Sequence, residues 1–418
     1  MPEVIHLSSV AGSPLLDSAG DRLGRVQDLV VRLDQGQGLP PVTGLKARIG
    51  GREMFVPIDR VARLGPDTVQ TSTTKLNLAQ FERQPGELLL RTDLLDRSVI
   101  NVATARLVKA REVEIVRDGE AWRVAGIDPT LRPRLWRFLP RRFRGHDTEH
   151  KQFISWRDIE PFLAHVPTSR LKLATRRLLR LHPAQLADLV EAASHAEGEE
   201  ILEAVGEDKE LEADVFEELD DEHQVEFLRE RSNEEVAAVL ARMAADDAVD
   251  LLLEIEQERR RPILELLPPA KQRKLRALLG HNPSTAGGLM NPDFISVPAS
   301  ESAGEALARV RASELGPQQA SFVCVTDEQG ALLGCVSLAE LVRADADRPL
   351  AELIESATPA VGVDADLPDV ARLMSDYNLI ALPVLDAENH PLGVIAVDDV
   401  LELLVPEEWR RRTGAARS

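Results

Sequence analysis

Residues 323–341 read VCVTDEQGALLGCVSLAEL and residues 382–400 read LPVLDAENHPLGVIAVDDV, and the two stretches align without a gap. Val325 and Val384, Asp327 and Asp386, Leu333 and Leu392, and Gly334 and Gly393 are identical. Each copy opens with a run of Val and Leu that suits a buried strand. It breaks at turn formers, Asp327-Glu328-Gln329-Gly330 or Ala387-Glu388-Asn389-His390-Pro391, then resumes as a strand and ends in a helical pattern. Strand, tight turn, strand and helix in tandem predict a duplicated α/β domain over residues 283–405.

Upstream, residues 170–280 change character: Pro becomes sparse and Leu, Ala and Glu dominate. A repeat of twelve emerges, with Val215, Phe227, Val239, Leu251, Ile263 and Leu275 in one column. Phe216, Leu228, Leu240, Leu252, Leu264 and Arg276 form the next, and Leu219, Arg231, Met243, Ile255, Leu267 and Leu279 the column four after the first. Apolar columns at that spacing predict short helices stacked as a superhelical solenoid. Ser232-Asn233, Asp246-Asp247 and Pro268-Pro269 mark helix starts.

Residues 1–165 read as mostly β. Leu15-Leu16-Asp17, Arg22-Leu23 and Asp28-Leu29-Val30-Val31 recur loosely as Leu94-Leu95-Asp96, Arg106-Leu107 and Glu112-Val113-Glu114-Ile115. Two small β-barrels are expected, at 1–80 and 85–165, because closure removes exposed strand edges.

The net charge is −20, and residues 196–265 hold 25 Asp and Glu against 7 Lys and Arg, so nearly all the excess lies in the solenoid. Such a block repels nucleic acid and anionic lipid and attracts cations. No apolar run is long enough to span a bilayer, no leader is read at the N-terminus, and two cysteines, Cys324 and Cys335, make no disulfide framework. A cytoplasmic protein is expected. No Ser/His/Asp or Cys/His constellation stands out, so no catalytic residue is assigned and no enzyme is expected.

The duplicated 323–341 and 382–400 pattern resembles a pair of CBS domains, regulatory modules that often bind adenine nucleotides. An acidic solenoid, then Asn-Pro-Ser-Thr-Ala-Gly-Gly-Leu-Met at 282–290, then that pair resembles the cytosolic part of MgtE-type magnesium transporters over roughly residues 170–408. In that family an acidic connecting helix and a transmembrane channel follow. Here the chain stops at Ser418, and transport by this chain alone is not expected. Asp17, then Gly20 or Gly24, then Asp28-Leu29-Val30 resembles the opening hairpin of the PRC-barrel family, with a weaker second copy that lacks the glycines. That family implies a docking module for proteins or RNA. The fold class is therefore multi-domain: PRC-barrel-like β domains, an all-α solenoid and an α/β CBS pair.

Mg²⁺ takes hard oxygen ligands and keeps several waters. Asp246 and Asp250 are four apart on one helix and share a face, with Asp247 beside them. The MgtE resemblance implies that acids there bridge cations to the CBS pair, and its acidic run after the last CBS strand maps onto Asp399, Glu402 and Glu407. Two departures imply fewer or weaker sites: Tyr377 is followed by neutral Asn378, and Trp409-Arg410-Arg411-Arg412 is basic where the family stays acidic. The same carboxylates would also cap helices and solvate surfaces, and both readings stay open. For a nucleotide, the CBS resemblance implies a Gly-x-x-Ser/Thr-x-x-Asp helix start. One copy has Gly334, Ser337 and Glu340, the other Gly393, Ala396 and Asp399, and neither is complete.

Residues 131–144 hold six Arg and no acid, and Arg137, Arg141, Arg142 and Arg144 would meet an anionic membrane surface, RNA or the chain's own solenoid. His146-Asp147-Thr148-Glu149-His150 fits the H-x-x-E-H zinc pattern but lies in a loop-like stretch without a third ligand, so zinc is not expected. The favoured reading is a Mg²⁺-responsive adaptor, with adenine nucleotide as a second regulator. It would dimerise through CBS helix faces at 303–311 and 369–374 and dock an unknown protein through its barrels. The alternative is a PRC-barrel docking protein in RNA or ribosome maturation, with the rest as scaffold.

Overall fold

The strongest β pattern forms the strand Arg22–Arg32, whose Val26, Leu29, Val30 and Val31 are fully buried. The computed structural model describes residues 4–33, 38–74, 79–119, 121–130, 153–162, 175–317, 319–354 and 358–406. Arg137, Arg141, Arg142, Arg144, the 146–150 pattern, Glu407 and residues 409–412 lie outside them. The chain divides into two units, Met1–Leu219 and Asp220–Ser418.

In the first unit, Arg22–Arg32 pairs antiparallel with Val42–Ile49, which pairs with Arg52–Pro57. Ile49 faces Arg52 across Gly50-Gly51, with φ of 56° and 84°. Positive φ at both central residues matches the twist of the flanking strands, and glycine adopts it without strain. Two pairings then cross between the β halves. Val4–His6 lies against Glu112–Asp118, and Glu87–Leu89 against Arg22–Arg32. The halves thus trade their first strands, each of which runs into a helical turn, Leu7–Val10 or Leu90–Leu94.

A buried acid of the opposite half holds each turn. Asp28 accepts from the Arg91 and Thr92 amides at 2.7 and 2.9 Å and from the Thr92 hydroxyl at 2.8 Å. Glu112, its counterpart in the repeat, accepts from the Ser8 amide at 3.0 Å and from the Ser8 hydroxyl. Burial pushes the Asp28 carboxyl above its ordinary range, and these bonds oppose the rise. One apolar core, from Ile5 to Ile159, serves both halves. The exchange crosses the boundary expected between residues 80 and 85, and it gives the edge groups of both halves partners.

Helices begin at Lys209, Asp221, Asn233, Ala245, Gln257 and Pro269, so the twelve-residue repeat is the helix-to-helix spacing. Its first column, Val215 through Leu275, is buried throughout. Helices of about ten residues are marginal alone. In the second unit they stack alternately: Asn233–Leu240 packs on Gln257–Leu266, and Ala245–Glu254 on both Asp221–Arg229 and Pro269–Leu278. Arg259 reinforces the stack, donating to Asn233 Oδ1 at 2.9 Å and to the Arg231 carbonyl at 2.7 Å, just past the end of the Asp221–Arg229 helix.

Each CBS copy is a three-stranded sheet with one parallel and one antiparallel pairing: Ser296–Pro298, Phe322–Thr326 and Leu332–Ser337, then Val361–Gly362, Ala381–Leu385 and Pro391–Ala396. The aspartates shared by the two copies act alike. Asp327 Oδ1 accepts from the Gln329 and Ala331 amides at 2.9 Å each, and Asp386 Oδ1 from the Glu388 and His390 amides at 3.0 and 2.7 Å. Both shape their turns as Asx-turns. The turns also meet: the Leu332 amide donates to the Asn389 carbonyl at 2.8 Å, and Asn389 Nδ2 to the Leu332 carbonyl at 3.1 Å. Among the described residues no helix is long and apolar enough to cross a membrane.

Candidate metal centre

Gly393 is where the site starts. A Cβ there would stand 2.8 Å from the Asn291 carbonyl oxygen and 2.9 Å from the Met290 side chain, so glycine lets the 290–291 segment lie against Pro391–Ala396. Asn291 then exchanges backbone bonds with Val394, donating at 2.8 Å and accepting at 2.9 Å. This pins the buried Asn291 side chain. Its Nδ2 donates to Asp246 Oδ1 at 3.1 Å, and its Oδ1 accepts from the Asp293 amide at 2.9 Å. A solenoid carboxylate and a CBS strand are thereby joined through one amide.

Asp246 sits in the first turn of Ala245–Glu254, where helix N–H groups favour negative charge, and is only 8% exposed. Burial nonetheless pushes its pKa up, with the Asp293 charge adding, while helix N–H groups and Lys271 pull it down. Asp250, one turn on, is exposed over much of its surface. Even so, desolvation of its carboxylate, then the charges of Asp246, Asp221, Glu254 and Glu402, push its pKa up to about 6. Asp399 lies half-buried in the first turn of Val397–Leu404. Burial, then Asp246, Asp398 and Glu402, push it up to about 7, against a bond from the Ala396 amide at 3.3 Å.

Asp250 and Asp399 thus both feel the charges of Asp246 and Glu402, although the four come from two helices far apart in sequence. Asp247 is half-buried and lends Asp246 a backbone N–H. Asp221, Glu254, Asp293 and Asn291 belong to the same surroundings and were not assigned from the sequence. Their signal, an acid on the same helix, one two helices earlier in the twelve-residue repeat, and an Asn and an Asp just after Met290, is legible only once the partners are known.

The donors suit Mg²⁺, being carboxylate oxygens with no Cys or His among them. Among the described residues the four carboxylates do not bring three oxygens within 4.8 Å of one another.

Ser337 and Glu340 lie elsewhere on the CBS pair and are engaged with each other. Glu340 Oε2 accepts from the Ser337 amide at 2.7 Å and hydroxyl at 2.6 Å, while Ser337 Oγ accepts from the Glu340 amide at 3.2 Å. This is a capping box for Leu338–Arg343. Asn378 also plays a structural part. It ends Leu367–Tyr377 in a left-handed conformation, φ 52°, which Asn tolerates better than most residues.

Three family models match this chain: PRC-barrel domain over 2–78, MgtE intracellular N domain over 181–284, and CBS domain over 286–347 and 350–406. Two solved structures align at a TM-score of 0.51 over 55% of this chain. One is the soluble part of a magnesium transporter, 26% identical over 90% of that chain, and the other the cytosolic domain of the Mg²⁺ channel MgtE in complex with ATP, 30% identical over 93%. This chain resembles the cytosolic part of an MgtE-type magnesium transporter.

The magnesium transporter MgtE of Thermus thermophilus is 31% identical over 198 residues, 47% of this chain and 44% of that protein. The Bacillus subtilis MgtE is 22% identical over 194 residues, 46% of this chain and 43% of that protein. The chain thus spans under half the length of these curated relatives. Its MgtE-like region carries the carboxylate cluster, and a PRC-barrel domain stands before it.

Proposed function

We propose that this chain is a regulatory adaptor of the cytoplasm, without catalytic activity, whose MgtE-like region responds to Mg²⁺. The supporting observation is the convergence of Asp246 and Asp250 with Asp399 and Glu402, with burial and mutual repulsion raising the first three. A divalent ion near them, with Asp247 at the rim and Glu407 further along the chain, would relieve that repulsion and tie the helix Ala245–Glu254 to Val397–Leu404. Adenine nucleotide is proposed as a second regulator, on the precedent of the ATP-bound neighbour. Ser337, Glu340 and Asp399 are the first residues to test for it.

The partition 1–80, 85–165, 170–280 and 283–405 is proposed with the first two segments as halves that exchange strands and share one core, docking a protein partner together. A homodimer through the CBS pair is also proposed. Val342, Tyr377, Ile380, Leu401, Leu403 and Leu404 expose apolar surface on it, which moves the expected contact from 303–311 and 369–374 toward these residues.

The deciding experiment compares melting temperature and radius of gyration in Mg²⁺ and in K⁺ of matched ionic strength. Mg²⁺ is expected to raise the first and lower the second, because screening alone does not bridge carboxylates. Asp246→Asn with Asp250→Asn is expected to abolish the difference between the ions. Equal action of both salts on the unmutated protein overturns the reading. Light scattering at tens of micromolar is expected to give twice the chain mass.

A further inference from the structure

The N-terminal barrel has an opening of about 520 Å³ lined by Ala11, Gly12, Val26 and Gln27 and by four arginines, Arg22, Arg25, Arg48 and Arg91. Four observations set it apart. Arg25 and Arg48 are directly opposed in the register of Arg22–Arg32 on Val42–Ile49. Like charges in that position cost stability unless an anion lies against them. All four are exposed, and among the described residues none is in an ion pair; Glu53, opposite Arg48 in the pairing of Val42–Ile49 with Arg52–Pro57, is engaged by Lys46 at 3.0 Å. Among the described residues the second β half shows no such grouping: Asp28 and Glu112 match across the repeat, but Ser8 in the Leu7–Val10 turn stands where Arg91 stands in Leu90–Leu94. Finally, Gln27 is among the residues that line the opening, and its Oε1 is a buried acceptor without a hydrogen-bond partner.

We propose that this opening binds a compact polyol carrying two phosphate groups. Four guanidiniums call for about four negative charges, which two phosphates supply at ~1.5–2 each. Arginine forks match phosphate oxygens in pairs. No aromatic residue lines the opening, so stacking does not select a nucleobase. The Gln27 acceptor takes a hydroxyl of the ligand, which distinguishes a phosphorylated polyol from bare polyphosphate. The volume falls within the ~300–1,000 Å³ of small-molecule sites.

The test is calorimetric titration of the full chain with fructose 1,6-bisphosphate in low salt and EDTA, so that the carboxylate cluster and its cation play no part. Tripolyphosphate, inorganic phosphate and a peptide of residues 217–222 run in parallel. Saturable binding of the bisphosphate is expected, with inorganic phosphate weaker. Arg25→Gln with Arg48→Gln should weaken it on the order of tenfold per arginine, and this variant removes a repulsive pair, so its melting temperature should hold or rise. Arg22→Gln, at the exposed start of its strand, gives a second reading independent of folding. Gln27→Leu should weaken the bisphosphate and leave tripolyphosphate unchanged. No binding, unchanged affinity in the arginine variants, or tighter binding of the acidic peptide overturns the proposal.

Discussion

Glu340 and Asp399 occupy the same position of the two CBS copies, three residues past the cap of the helix that follows the second strand. In the first copy the cap is Ser337, and Glu340 closes a reciprocal box with its amide and hydroxyl. In the second copy the cap is Ala396, which has no hydroxyl, and Asp399 accepts the Ala396 amide at 3.3 Å. The first acid is satisfied within its own helix. The second, a shorter side chain with less to bind locally, faces Asp246 and Glu402 and is pushed up to about 7. One missing hydroxyl and one nearby acidic helix separate a structural carboxylate from a candidate ligand, although the backbone is the same.

The largest expected effect is on pH dependence without metal. Asp399, Asp250 and Asp246 have folded pKa values above the unfolded carboxylate value, so the folded state holds protons more tightly. Stability from this source is fully present below the unfolded pKa and is lost as pH rises through about 6 to 7. In EDTA the protein should therefore melt higher at pH 5 than at pH 8, by ~2 kcal/mol after allowance for solvent screening. Asp399→Asn should flatten that slope and Glu340→Gln should not. A slope of opposite sign breaks the comparison.

Next in size is the response to Mg²⁺. At ten times Kd the ion stabilises by ~1.4 kcal/mol, or ~3–5 °C for a unit of this size. Asp399→Asn should remove most of that gain, whereas Glu340→Gln should keep it, as read by melting with and without Mg²⁺. Equal losses in both variants would mean the two positions do not differ in kind.

Ser337→Ala should cost ~1 kcal/mol through the lost cap and leave the Mg²⁺ response intact, by urea unfolding at both metal levels. Smallest is Ala396→Ser. Its hydroxyl would rebuild the box and compete for Asp399, weakening apparent Mg²⁺ affinity about threefold, in line with a neutral bond worth ~0.5–1 kcal/mol. Tighter Mg²⁺ binding in that variant would show that the cap and the cation do not share the carboxylate.

Much of this comparison is legible in the sequence. The gapless alignment of 323–341 on 382–400 places Glu340 and Asp399 in register, and helical spacing puts Asp246 with Asp250 and Asp399 with Glu402. Asn291 is not legible, because an amide aimed at Asp246 by pairing with Val394, about a hundred residues further along the chain, leaves no local pattern. The strand exchange at Val4–His6 and Glu87–Leu89 escapes for the same reason. A three-residue strand has no periodicity to show which half it joins. The cap role of Ser337 is visible as Ser-x-x-Glu, although the same residues also read toward phosphate.

The sequence by itself determined whatever depends on neighbours along the chain. It set the twelve-residue spacing of helix starts from Lys209 to Pro269, the Asx turns at Asp327 and Asp386, and the order of barrel, solenoid and CBS pair. Backbone geometry and turn chemistry are local, so residue type and spacing carry them. Only the tertiary structure decided which half each first strand joins, which acids share a field, and which arginines gather around one opening. Burial and electrostatic coupling act through space, and they take their size from groups that folding brings together rather than from groups adjacent in the chain.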